Sequence, residues 1–185
     1  MSFRNLSRWK VLETPSRLET LQRIIGFQRK LAESGAFTNP RSHIYYLPEL
    51  YCAYFGRCYA AFIALPSAAR RAIDPENAFD FMRGRVLIYV QRELIAHEMN
   101  AFDAALALMA LAHLGAEPAS FTPALACIVA DVGEGGRHGP FRAYEWNKMK
   151  TPTRILVGGP EVTSAFVLMG LALARGAMMK GKGAA

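Results

Sequence analysis

The chain has 185 residues, of which 52% are apolar and 20% charged, and a formal net charge of +7. That length suits one domain able to bury a core without cross-links, and that balance excludes a disordered chain. The apolar runs Ala104 to Ala112 and Ala124 to Ala130 fall short of the roughly 18–20 residues a membrane-spanning helix needs, so a soluble protein is expected.

The opening Met-Ser-Phe-Arg-Asn-Leu-Ser-Arg-Trp-Lys lacks the apolar centre of a secretory signal, which makes the cytoplasm the expected compartment. Residues 1–15 are expected to be a flexible basic arm, 16–178 a single all-α domain and 179–185 a disordered tail. Ser16 with Glu19 has the spacing of a capping box, opening a helix to about Ser34, with Gly35 as its stop. Leu18, Leu21, Ile24, Ile25 and Leu31 make that helix amphipathic and place it outside. After an aromatic loop over 37–47, Pro48 suits the first turn of a helix to about Leu65, which carries Tyr51, Tyr54, Phe55, Cys58, Tyr59 and Phe62. A short helical turn over Ser67 to Ile73 follows. Asp74-Pro75-Glu76 then caps a helix to about His97.

Asn100 with Asp103 caps the most apolar stretch, Asn100 to Gly115. Pro123 opens a helix of about nine residues, a Gly-rich loop spans 133–159, and Pro160-Glu161 starts the last helix. About seven helices and no convincing strand are expected. The stretch at Asn100 has an echo sixty residues on, where Ala105, Leu108, Met109, Leu111 and Ala112 recur as Ala165, Leu168, Met169, Leu171 and Ala172. Gly115 and Gly176 stand where each copy would close with a left-handed turn. A helix apolar all round must be covered, so both copies are expected to be inner helices.

Cys52, Cys58 and Cys127 lack metal-binding or redox spacing and read as buried thiols. The four histidines lack metal-ligand spacing, so no metal is expected. Arginines and lysines crowd the first thirty residues, and Arg70, Arg71, Arg83, Arg85 and Arg92 form a second group. Solvated helix faces, an anionic membrane surface and an anionic substrate are all compatible with that field. Nucleic acid is not expected, because no recognition motif accompanies the charge.

Two roles are open to Asp103: a carboxyl raised in pKa beside an apolar cavity, able to donate a proton, or a residue satisfying N–H groups in the first helical turn. Tyr45, Tyr46, Tyr51, Tyr54 and Tyr59 either line a cavity or belong to the core. Arg57, inside the apolar helix, requires an acid or an anionic ligand. Arg137, His138 and Trp146 stand on the Gly-rich loop, a candidate rim or lid.

Three passages together resemble the α/α toroid of the terpenoid cyclase and protein prenyltransferase superfamily. Asn100-Ala-Phe-Asp-Ala-Ala-Leu-Ala-Leu-Met-Ala-Leu is similar to its "DTALALLAL" helix. Gly133-Glu-Gly-Gly-Arg-His-Gly-Pro-Phe resembles its "DGGW" turn, with Phe141 for the Trp. Gly158-Gly-Pro-Glu-Val-Thr-Ser-Ala-Phe-Val-Leu-Met-Gly-Leu is similar to its "GSPELTTALALEAL" helix. Coverage is best over 77–176, and seven helices amount to about half a ring.

The resemblance implies an apolar, Tyr-rich cavity for an isoprenoid-like substrate, without a cofactor, and acid–base isomerisation or cyclisation. Asp103 and Tyr54 would be catalytic, with Tyr45, Tyr51, Arg57, Arg137, His138 and Trp146 binding substrate. No Asp-x-Asp-Asp motif occurs in the chain. The alternative is therefore a non-catalytic protein that binds an apolar ligand or completes a ring as a homodimer or with a partner subunit. Membrane attachment through the basic N-terminal helix is compatible with either.

Overall fold

A computed structural model describes residues 15–35, 48–94, 99–139, 142–146, 153–156 and 159–182. Among them the chain forms seven α-helices: α1 (Pro15–Glu33), α2 (Pro48–Ile63), α3 (Ser67–Ile73), α4 (Ala78–Ile88), α5 (Ala101–His113), α6 (Thr122–Ala130) and α7 (Pro160–Lys182). The class is all-α, as expected.

Local chemistry accounts for most boundaries. The Asn100 side chain accepts the Asp103 N–H at 2.9 Å while an Asp103 carboxylate oxygen lies 3.5 Å from the Asn100 N–H, a reciprocal capping box at the head of α5. Asp74 accepts the Ala78 and Phe79 N–H groups, each at 2.8 Å, and so caps α4 from a buried position. Gly35 and Gly115 both have φ of +66°, ending α1 and α5 in the left-handed turn that glycine adopts without a Cβ penalty. Arg83 reaches from α4 to the C-terminus of α5, donating Nε to the Leu114 carbonyl at 2.8 Å. An arginine of the second basic group is thus a cation on the negative end of the central helix.

Two boundaries differ from the sequence reading. The helix expected to reach His97, a residue outside the described ones, leaves α geometry after Ile88 and continues as a π-helical segment over Tyr89–Leu94, where Gln91 donates to the Ser120 hydroxyl at 2.9 Å. Gly176 does not close α7, which runs through it to Lys182 and into the stretch expected to be a tail. A glycine ends a helix only when the next residues stop supplying helical partners, and Ala177, Met178 and Met179 are good helix formers.

The Gly-rich loop holds an antiparallel pair, β1 (Arg142–Trp146) with β2 (Thr153–Leu156), Glu145 opposite Arg154 and Trp146 opposite Thr153. Arg-Ala-Tyr-Glu-Trp and Thr-Arg-Ile-Leu are short and rich in aromatic and β-branched residues, a signal masked by the surrounding Gly and Pro.

The inner layer is α2, α5 and α7 in that order, with α5 between the other two. Every residue of α5 from Ala104 to Leu111 is buried, so the helix that the sequence marks as inner is inner. The two crossings are close. A Cβ on Gly170 would lie 2.8 Å from the Ala105 carbonyl oxygen, and one on Gly56 would lie 3.3 Å from the Ala110 backbone. Glycines at these points let α7 and α2 approach α5 at backbone distance.

Helix α1 packs on α4 and α3, covering the core formed by α2, α4 and α5. Stacked rings of Phe55, Phe79 and Phe62, with centroids 6.1 and 4.2 Å apart, join α2 to α4.

The echo predicts equal burial for α7, and the structure differs. Leu108 is 0% exposed and its counterpart Leu168 is 68% exposed; Met109 is 9% exposed and Met169 is 48%. Among the described elements, α7 packs chiefly on α5, with the turn around Pro118–Phe121 as a smaller neighbour, so one side is covered and the opposite side is not. The window Pro160–Met179 is also long and apolar enough to cross a membrane by length and composition, the one such helix among the described residues. Counting uninterrupted apolar runs had excluded such a helix; Glu161 and Arg175 interrupt the window without lowering its average below that of a span.

Candidate functional site

Five polar side chains, Asn100, Asp103, Cys127, Asp131 and His138, gather where α5 begins. Beside the capping box, an Asp131 carboxylate oxygen accepts the Ala101 N–H at 3.3 Å. His138, 7% exposed, places Nδ1 3.8 Å from the same Asp131 oxygen, and that nitrogen has no hydrogen-bond partner among the described residues. Cys127 donates its thiol to the Met99 carbonyl at 3.1 Å, and burial, followed by the charges of Asp131 and Asp103, pushes its pKa up. A thiol held protonated in this way is a poor nucleophile.

Asp103 therefore takes the capping role of its two readings. Asn100→Ala, which removes the N-cap acceptor of this box, is expected to lower the unfolding free energy by about 1 kcal/mol in urea titration, the usual cost of a lost N-cap.

The aromatic residues are divided by the structure. Tyr51 is partly buried; its hydroxyl donates to Gln28 Oε1 at 3.2 Å and its ring stacks on Phe55 at 6.3 Å. Tyr54, one turn further along α2, is 60% exposed. Arg57 is also exposed, which removes the need for a buried acid: water satisfies the guanidinium. Cys52 is buried as expected; Cys58 is exposed, contrary to its reading as a core thiol, because it shares the outer face with Tyr54 and Arg57. Arg137 is exposed next to buried His138. Tyr45 lies outside the described residues, and Trp146 is placed on β1 by its backbone. The structure does not bring the selected residues to one enclosed cavity among the described residues.

A cleft that sequence reading missed opens between α2, α3 and α4, with a volume of about 290 Å³. Tyr59, Phe62, Ser67, Arg70, Arg71 and Asp80 line it. Tyr59 donates to Asp80 Oδ1 at 2.7 Å, and the Arg83 guanidinium lies 5.7 Å from the Tyr59 ring centre. The Nε of Arg70 is buried without a hydrogen-bond partner among the described residues. The cleft holds charges of both signs beside one apolar wall and suits a small polar group; its members are scattered over three helices with no motif to link them.

Burial first, then the Asp80 hydrogen bond and charge, raise the Tyr59 pKa from 10.0 to about 12. Tyr59 is therefore a donor at neutral pH. The unfolded state loses this proton near 10.0 and the folded state near 12. Its contribution to stability is whole below pH 10 and disappears as the pH rises through that window. Tyr51, raised to about 12 mainly by burial, acts with the same sign. Tyr59→Phe is expected to flatten, in part, the alkaline fall in urea midpoint.

The largest departure from a self-sufficient fold is on α7. Val162, Ala165, Leu168, Met169, Ala172 and Met179 are all exposed on one side of it. Such a contiguous apolar surface on a folded chain marks an interaction site.

The fold and this surface define a layered all-α protein with an uncovered edge helix. No protein-family description matches the chain, and neither a curated protein nor a solved structure is similar to it. Among the described residues no three His, Cys, Asp or Glu side chains are grouped to hold a metal ion.

Proposed function

We propose that the protein is a non-catalytic assembly protein, a toroid-like set of helices that associates through α7 and shelters an apolar, isoprenoid-like ligand against the surface so enclosed. One observation carries this reading: Ala105, Leu108 and Met109 are buried in α5, while their counterparts Ala165, Leu168 and Met169 are exposed in its echo α7. If the repeat continues across a subunit boundary, the next helix covers Leu168 and Met169 as α7 covers part of α5. The engagement of Asp103 in capping favours binding over acid–base isomerisation or cyclisation.

Sedimentation velocity tests the reading. The wild-type chain is expected to sediment above its 20.4 kDa monomer mass, and Leu168→Glu at that mass with unchanged helical circular dichroism. A wild-type monomer at all concentrations would refute it.

A second reading is favoured by α1, where Ile24 and Phe27 are 53% and 59% exposed beside exposed Arg17, Arg23 and Lys30. This pattern suits an anionic membrane surface. Binding to anionic vesicles that is weakened by Phe27→Ala and by high salt supports it; binding unaffected by both excludes it.

A further inference from the structure

We infer that the subunit covering α7 is a second copy of this chain, and that the two α7 helices lie antiparallel about a two-fold axis near Leu168 and Met169. The inference rests on the reading of α7 as an assembly surface and adds the occupant and its direction.

The spacing of the exposed residues is the first argument. Val162, Ala165, Met169, Ala172, Gly176 and Met179 are separated by three, four, three, four and three residues, and all are exposed. That is the seam by which one straight helix packs along another, not the broad apolar girth of a helix surrounded by lipid. Small residues, Ala165, Ala172 and Gly176, stand among the larger Val162, Met169 and Met179 along it, which permits close approach and interdigitation.

Charge gives the direction. The row beside the seam holds Glu161, Leu168 and Arg175 at intervals of seven, with all three exposed. Acid and base therefore stand equally far on either side of Leu168, about 21 Å apart along the axis at 1.5 Å per residue. In a parallel pair Glu161 would meet Glu161 and Arg175 would meet Arg175. Antiparallel pairing about Leu168 instead sets each Glu161 beside the Arg175 of the other copy, twice, and brings Ala165 within one residue of the level of Ala172 on the other copy. Glu161 and Arg175 are antisymmetric about Leu168, with Lys180 and Lys182 beyond the paired stretch, so this part of α7 is complementary to a reversed copy of itself, which is what an isologous interface requires.

The opposite face of α7 is occupied. The Phe166 ring packs at a tilt on Phe102, centroids 4.9 Å apart, and Val167, Gly170 and Ala174 are buried toward the rest of the fold. The seam is thus presented by a helix already anchored to α5, and pairing needs no rearrangement of the core.

Cysteine cross-linking in a Cys58→Ser background distinguishes the arrangements. Met169→Cys, near the axis, is expected to form an intermolecular disulfide under mild oxidation. Val162→Cys is not, because antiparallel pairing separates the two copies of that position by roughly 20 Å. Glu161→Arg and Arg175→Glu are each expected to weaken dimerisation by about tenfold at low salt, and the double variant to recover most of it. Arg175→Glu lies away from the first turn of α7, so it tests the charge pairing without disturbing helix initiation.

Efficient cross-linking through Val162→Cys, with a dimer still abolished by Leu168→Glu, would overturn the antiparallel arrangement and leave α7 as the assembly surface. A dimer indifferent to Leu168→Glu would overturn both. A monomer that binds phosphatidylcholine vesicles, and loses that binding with Leu168→Glu, would also overturn both and assign α7 to lipid.

Discussion

Gly170→Val is expected to lower stability by about 3 kcal/mol, because it places branched carbon atoms in the space where α7 touches the backbone of α5. Even a single added methyl would lie 2.8 Å from the Ala105 carbonyl oxygen and 3.2 Å from the Ala105 Cα. Neither atom is the mobile end of a side chain, so the helices themselves must separate. Their separation would loosen Phe102, Leu106 and Met109 from Phe166 and Leu173, the cluster that joins the inner layer. For a chain of this size the loss corresponds to a fall in melting temperature of roughly 6–12 °C, measurable by calorimetry. Gly84→Ala is the matched control. Nothing lies within 4 Å of its added carbon, so removing glycine's backbone entropy from α4 is expected to stabilise by about 0.5–1 kcal/mol.

The repeated leucines give the second large effect. Leu108→Ala is expected to destabilise by about 3–5 kcal/mol, through lost transfer energy and a cavity inside a helix buried all round. Leu168→Ala, at the echoed position, is expected to leave the monomer's stability within about 0.5 kcal/mol of wild type, because its side chain is already in water. Leu168→Ala should nevertheless reduce self-association. Urea titration at low protein concentration, paired with sedimentation at high concentration, separates these consequences. Equal losses of folding stability would mean that Leu168 is covered within its own chain.

Helix starts were legible because their signals are local. Pro48, Asp74, the Asn100–Asp103 pair and Pro160 each act on backbone groups within about one turn, and the observed helices begin at or just after them. The fully buried nature of α5 was equally legible, since no polar face exists to turn toward water. Periodicity did not distinguish α5 from α7, because it reports which residues are apolar and not how many neighbours arrive to cover them. The polar cleft was illegible for a related reason. Tyr59 and Asp80 are brought together only by the packing of α2 on α4, and neither residue carries a spacing that announces the other. Asp103 shows the converse: a carboxylate beside an apolar run suggests acid–base chemistry, while its relation to Asn100 already describes a complete capping box.

The central claim, that the folded chain is incomplete without a subunit on α7, is tested most directly by native mass spectrometry of the wild-type protein. The predicted result is an ion series at twice the 20.4 kDa chain mass, carrying the additional mass of a retained apolar small molecule. A ligand-free series at 20.4 kDa, persisting as protein concentration is raised, would contradict it.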